Sequence, residues 1–124
     1  MNVKIDTKEK FTVITPQETA LAANMTAEVS NLLLQYLQKD IPNVILNMAN
    51  VEFMVENIGV LLAFVQQQFY ENNCSFVICN IQKDVEKLLA ETELLELMNV
   101  TPTESEAGDI VQMEEIEREL LRDN

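Results

Sequence analysis

The sequence lacks the residues on which most enzymes depend. It has no histidine among 124 residues and only two glycines, Gly59 and Gly108. Without histidine, the commonest general base and metal ligand is missing. Two isolated glycines cannot form the glycine-rich loops that bind nucleotide phosphates. We therefore expect no catalytic residues, no cofactor and no metal site.

Cysteine is also scarce. Cys74 and Cys79 lie in or beside one apolar run, and no histidine is present to complete a metal site with them. Buried, reduced thiols fit a reducing cytosol. No run approaches the roughly 18 apolar residues that a membrane span needs, and residues 1–10 lack the apolar core of a signal peptide. We expect a cytoplasmic protein with no membrane insertion.

Basic residues are the third shortage. The chain has 8 lysines and arginines against 21 acids, which gives a formal charge of −13. Residues 84–124 alone carry 13 acids and 3 bases. Such a surface repels phosphate backbones, so direct nucleic-acid binding is disfavoured. A basic protein partner is allowed, although an acidic face often serves only to keep a protein soluble.

Apolar residues are abundant, at 48% of the chain, and 124 residues suffice for one core. We therefore expect a single domain over residues 1–124. Short runs rich in β-branched and apolar residues predict an initial hairpin and three later strands. These predicted strands are Val3–Asp6, Phe11–Thr15, Val44–Met48, Ser75–Ile78 and Leu97–Val100.

Between the strands, apolar residues recur with the period of amphipathic helices. The pattern predicts helices over about 26–39, 57–71, 84–91 and 104–121. Asp84 is expected to cap the third helix, and Thr103 with Glu106 to form a capping box on the fourth. The fourth helix should carry an apolar stripe among its acids, formed by Ile110, Met113, Ile116, Leu120 and Leu121.

The element order β-β-α-β-α-β-α-β-α predicts an α/β fold. Strands that alternate with helices, two of them continuously apolar, favour a mixed sheet of four or five strands that is mainly parallel at its centre and packed against helices.

The segment Ile45–Leu62, ILNMANVEFMVENIGVLL, resembles the signature region of the STAS family, which includes anti-sigma factor antagonists. That signature is a buried strand followed by Val-x-Phe-hydrophobic-Asp-Ser-Ser-Gly-hydrophobic-Gly-hydrophobic-Leu. The matching positions are Val51, Phe53, Met54, Gly59, Val60, Leu61 and Leu62. The resemblance implies a STAS-like fold and a non-enzymatic module that binds an anti-sigma factor or a kinase of that type, and so regulates transcription indirectly.

The sequence departs from the family where the family is phosphorylated. Val55, Glu56 and Asn57 stand in place of Asp-Ser-Ser-Gly, and the segment is one residue shorter. The phosphorylated serine therefore corresponds to Asn57 or to Glu56, depending on the alignment. Neither has a hydroxyl, so the usual switch should be absent. Glu56 could mimic a modified state or Asn57 an unmodified one, and both also suit a helix start, with Asn57 as N-cap.

The resemblance also predicts where partners bind, at the start of the second helix. Ile58, Leu61, Leu62, Val65 and Phe69 form an apolar face for the core, whereas Val60 and Phe64 lie off it. The predicted partner-binding residues, named here the α2 surface, are Val55, Glu56, Asn57, Val60, Phe64 and Gln67.

Two alternatives remain beside this reading. The chain could be a STAS subunit of another assembly, such as a lipid-transport complex or a stress-signalling particle, or it could associate with itself. Gly59 is expected either to admit a neighbouring strand or to flatten a docking surface.

Overall fold

The structure is a computed structural model that describes residues 1–122. Its strands are β1 (Val3–Thr7), β2 (Thr12–Pro16), β3 (Ala20–Leu21), β4 (Val44–Asn47), β5 (Phe53–Met54), β6 (Phe76–Cys79) and β7 (Val100–Thr101). Its α-helices are α1 (Thr26–Leu34), α2 (Glu56–Glu71), α3 (Lys83–Glu91) and α4 (Glu104–Arg122).

Five strands form a mixed sheet in the order β1-β2-β4-β6-β7. β1 and β2 form the predicted antiparallel hairpin, in which Ile5 pairs with Ile14. The remaining neighbours are parallel. The predicted α/β class and mixed sheet are therefore confirmed.

Helices cover both faces of this sheet, because alternate strand residues point to opposite sides. One face packs against α1, α2 and α3 through a core that includes Ile14, Leu46, Phe76 and Ile78. The other face packs against α4. That second, smaller core consists of Val13, Ile45, Val77, Cys79, Ala107 and Val111.

The end of the first helix and the cap of the third differ from the prediction. The first helix is α-helical only to Leu34 and continues as a 3₁₀ turn over Gln35–Gln38. The prediction that Asp84 caps the third helix is wrong, because Gln82 occupies the N-cap position. Gln82 Nε2 donates to the carbonyl of Ala49 at 2.6 Å, which fixes the chain one residue before α3 begins. Asp84 lies in the first turn, where a negative charge favours the helix dipole.

The last strand is later and shorter than predicted. Leu95–Leu97 forms a 3₁₀ turn, and β7 spans only Val100–Thr101. Just before β7 begins, the Asn99 N–H donates to the side chain of Gln66 in α2, at 3.1 Å from Oε1.

A second, two-stranded parallel sheet was not predicted. β3 pairs with β5, with Ala20 opposite Phe53 and Leu21 opposite Met54. Two-residue strands are too short to produce a detectable alternation. Leu21 and Met54 point into the core, and Ala20 and Phe53 point outward.

The predicted cap of α4 is present, with a different second bond. The Glu106 N–H donates to Thr103 Oγ1 at 3.2 Å, while the Thr103 hydroxyl, rather than its N–H, donates to Glu106 Oε1 at 3.1 Å. Of the predicted apolar stripe of α4, Ile110 packs against the smaller core. The other four residues, Met113, Ile116, Leu120 and Leu121, are exposed, so the stripe does not face the sheet beyond Ile110.

Candidate partner-binding surface

The start of α2 is held in place by the small sheet. The Val55 N–H donates to the carbonyl of Leu21 at 3.1 Å, and the Glu52 N–H donates to that of Thr19 at 2.7 Å. These bonds continue the β3–β5 pairing up to Val55, the residue before the first helical residue. The direction in which α2 leaves the sheet is therefore fixed by backbone hydrogen bonds.

The predicted division of α2 into two faces is present. Ile58, Leu61, Leu62, Val65 and Phe69 are buried in the larger core. Val60 and Phe64 are 53% and 50% exposed, and Glu56, Asn57 and Gln67 are also exposed. Steps of three and four residues align Asn57, Val60, Phe64 and Gln67 along one side of the helix. Their role in binding a partner stays a prediction.

The expected capping role of Asn57 is wrong. The helix begins at Glu56, and the N-cap is Val55, which has extended backbone and makes no side-chain capping bond. Asn57 is therefore the second helical residue. Glu56, in the first turn, still gains a few tenths of a kcal/mol from the helix dipole. The first N–H groups of α2 carry a partial positive charge with no cap from Val55.

Gly59 is buried, so it does not form part of a docking surface, and a neighbouring strand does not explain it. A Cβ at this position would lie 3.0 Å from Leu94 Cδ1 and 3.2 Å from Leu89 Cδ2. Met54 of β5 would be at an ordinary contact distance of 3.6 Å. The absence of a side chain at Gly59 allows Leu89 of α3 and Leu94 of the turn that follows it to pack closely against α2.

Sequence reasoning missed one exposed aromatic residue beside this surface. Phe53 is 56% exposed and lies in β5, two residues before the N-cap of α2. In the sequence, Phe53 stood out only because it matches the family signature. Val51 and Met54 are buried, whereas Glu52 and Phe53 between them are exposed. A strand as short as β5 has too few residues for its sequence to show which side chains face the core.

The two cysteines are free thiols that differ in burial, since Cys79 is buried and Cys74 is partly exposed. Burial, with a smaller contribution from the nearby Glu104 carboxylate, raises the pKa of Cys79 to about 12. Burial also raises the pKa of Cys74, against a smaller lowering by Arg118. Among residues 1–122, no group of three or more potential ligands is placed to hold a metal ion. None of the helices described there is long and apolar enough to cross a membrane.

A comparison with known families identifies the family of this chain. The family model of the STAS domain matches residues 2–107. The chain belongs to the STAS domain family. No curated protein matches its sequence significantly.

Several solved structures share this STAS fold at low sequence identity. TM1081 of Thermotoga maritima, a candidate anti-sigma factor antagonist, has a TM-score of 0.80 at 16% identity, over 89% of this chain and 94% of its own. The anti-sigma factor antagonist SpoIIAA in its unphosphorylated form has a TM-score of 0.71 at 18% identity, over 90% and 96%. The murine anion transporter Slc26a9 has a TM-score of 0.70 at 15% identity, over 84% of this chain but 18% of its own.

Proposed function

We propose that this chain is a non-enzymatic, single-domain protein-binding module that acts as an anti-sigma factor antagonist. It would occupy an anti-sigma factor, or a kinase of that type, in the cytoplasm and so free a sigma factor. Transcription would be regulated indirectly, without contact between this chain and nucleic acid. The antagonists among its structural neighbours support this general class.

The observation that carries the proposal is the exposure of two large apolar side chains on α2. Val60 and Phe64 project from a helix whose other face is committed to the core. An exposed aromatic residue that becomes buried on binding is the usual anchor of a protein interface. Val55 and Phe53, both exposed near the start of the same helix, extend the apolar area available to a partner.

The start of α2 further supports a module that is permanently able to bind. Residues 50–62 contain no serine or threonine, so no phosphate can be added there. A phosphate carries a charge of about −1.5 to −2, whereas Glu56 contributes one charge in a position that the helix dipole already favours. Asn57, which is exposed and neutral, leaves the rest of the first turn uncharged. We therefore propose that the surface corresponds to the unmodified state.

Release of a sigma factor tests this function directly. The cognate anti-sigma factor and sigma factor would be mixed as a labelled complex, and the chain added while the free sigma factor is measured. The wild-type chain should release sigma, and Phe64→Ala should do so much less. Tyr70→Ala, which removes another exposed aromatic residue from the far end of α2, is the matched control. If the wild-type chain neither binds the anti-sigma factor nor releases sigma, the proposal is wrong.

A second candidate is a STAS subunit of a transport assembly. The same fold occupying 18% of an anion transporter chain favours this alternative. Co-purification from the native cell separates the two, since an anti-sigma factor supports the first and an ATPase with a permease supports the second.

A further inference from the structure

In the second half of the last helix, polar side chains rather than apolar ones meet the sheet. Ala107 and Val111 pack into the smaller core, but the next residues on the same side of α4 are Glu114, Glu115 and Arg118. These side chains lie over the residues that precede β4, β6 and β7. The C-terminal half of α4 is therefore attached to the sheet by polar contacts rather than by an apolar face.

Asn43 is the centre of this attachment and is only 2% exposed. Its Nδ2 donates to Glu115 Oε1 at 2.8 Å and to the carbonyl of Lys10 at 3.1 Å. Its Oδ1 accepts from the Ser75 N–H at 2.8 Å and from Arg118 Nη2 at 3.5 Å. Buried polar atoms cost free energy when they lose their partners.

Glu114 adds two further bonds. It accepts from the Ser75 hydroxyl at 2.6 Å and from Asn99 Nδ2 at 3.3 Å. Rotating α4 to place its apolar stripe on the sheet would break the bonds that Glu114, Glu115 and Arg118 make with Asn43, Ser75 and Asn99. The network thus fixes the orientation of the helix.

As a result, the apolar residues from Met113 onward point away from the molecule. Met113 and Ile116 are 57% and 58% exposed, and Leu120 is exposed one turn further on the same side. The spacing of three and then four residues is that of one face of a helix that packs against another helix. We name Met113, Ile116 and Leu120 the α4 outer face.

The charges around the α4 outer face have one sign. Asp109 and Glu117 lie one turn before and after Met113, and Glu119 lies three residues after Ile116. The two basic residues of α4, Arg118 and Arg122, are four residues apart on the side that contacts Asn43 and Ser75. The outward side of α4 is therefore apolar in the middle and acidic at its edges.

This charge pattern indicates which kind of partner would bind the α4 outer face. A second copy of this chain would bring the same acids against one another, in a chain that already carries a charge of −13. An amphipathic helix with lysines or arginines beside its apolar face would match both the apolar residues and the acids. We propose that the α4 outer face is a docking site for a basic amphipathic helix of a partner protein.

This site would be independent of the α2 surface. α2 packs on one face of the sheet and α4 on the other, so a partner on one helix leaves the other accessible. The chain could then hold two partners at once.

A synthetic peptide tests the proposal with the full chain. The probe is a labelled amphipathic peptide of about 20 residues, to match the length of α4, with leucines at heptad a and d positions and lysines or arginines elsewhere. Binding is measured by fluorescence anisotropy and mapped by NMR amide shifts. We expect saturable binding that weakens with added salt and shifts concentrated on residues 109–121. A scrambled peptide of the same composition should bind at least about tenfold more weakly.

Variants of exposed residues on α4 separate the apolar contribution to peptide binding from the contribution of charge. M113Q with I116Q keeps the charge and should weaken binding at least about tenfold, whereas E117Q with E119Q should reduce the salt dependence. Phe64→Ala should leave peptide binding unchanged. Thermal melts of all variants should match that of the wild type.

Several results would overturn the proposal. These are no binding of the peptide, equal binding of the scrambled peptide, and an unchanged affinity of M113Q with I116Q. A wild-type dimer in sedimentation that M113Q with I116Q disperses would also overturn it, because the occupant would then be a second copy.

Discussion

The Ser75 hydroxyl donates to Glu114 Oε1 at 2.6 Å, and this bond ties the residue before β6 to the middle of α4. Ser75 is only 1% exposed, and its oxygen also accepts from Arg118 Nη2 at 3.2 Å. A hydrogen bond to a charged group contributes about 1.5 to 3 kcal/mol to folding. This hydroxyl makes two of them.

Ser75→Ala should therefore lower the free energy of unfolding by about 1 to 3 kcal/mol, because Glu114 and Arg118 lose a buried partner. Urea denaturation monitored by circular dichroism measures the change. Ser105→Ala, in the exposed first turn of α4, is the control and should remain within about 0.5 kcal/mol of the wild type. Equal effects of the two substitutions would mean that the network does not hold α4.

Gly59 and Leu94 should be energetically coupled, because a Cβ on Gly59 would lie 3.0 Å from Leu94 Cδ1. Alanine is about 1 kcal/mol better than glycine inside a helix, and crowding against Leu94 offsets that gain. Gly59→Ala should be more favourable in a Leu94→Ala background than in the wild type, by about 0.5 to 1 kcal/mol. A double-mutant cycle of denaturation midpoints measures this coupling. Strict additivity would contradict the packing explanation.

The two thiols should react with a thiol reagent at very different rates. Cys79 is fully buried and has a pKa of about 12, so little thiolate forms at pH 8. Cys74 is partly exposed and should react first, although burial raises its pKa as well. A colorimetric titration of the native protein at pH 8 should give one fast equivalent and a second only on unfolding. Peptide mapping that places the fast label on Cys79 would contradict this assignment.

Incubation with a cognate anti-sigma kinase and ATP should leave residues 50–62 unmodified, since they contain no hydroxyl for the kinase to phosphorylate. Intact mass followed by peptide mapping gives the result. A stoichiometric phosphate at Thr101, Thr103 or Ser105 would indicate that switching acts elsewhere. Thr103 and Ser105 are exposed, whereas Thr101 is buried and donates to the carbonyl of Thr103 at 2.8 Å. Modification of Thr101 would therefore require local opening.

The two proposed states of the α2 start can also be separated. If the surface corresponds to the unmodified state, Asn57→Glu should weaken partner binding by adding charge, and Glu56→Gln should change it little. Calorimetric titration with the partner measures both. A marked gain of affinity in Glu56→Gln would instead mean that Glu56 mimics the modified state.

Much of the fold was predictable because its elements are long enough to show a period. The faces of α2 follow from 16 residues with one apolar stripe, and β4 and β6 follow from continuous apolar runs. The strands β3 and β5 and the cap of α2 were not predictable, because they depend on pairing between residues far apart in the sequence.

The orientation of α4 was missed for a related reason. Its sequence pattern identifies an apolar stripe, but the buried side is decided by Asn43, Ser75 and Asn99, which belong to other elements. The reason for Gly59 likewise lies in Leu89 and Leu94 rather than in its own helix.

The most direct test of the proposed function compares Phe64→Ala with Leu61→Ala, two positions three residues apart on α2. Leu61 lies in the core, so Leu61→Ala should lower the free energy of unfolding by roughly 2 to 5 kcal/mol. Phe64 is half exposed, so Phe64→Ala should leave stability almost unchanged. Its calorimetric titration with the anti-sigma factor should show a loss of about 1 to 2 kcal/mol or more in binding free energy. Phe64→Ala binding the anti-sigma factor with wild-type affinity, or unfolding as readily as Leu61→Ala, would contradict a binding surface on α2.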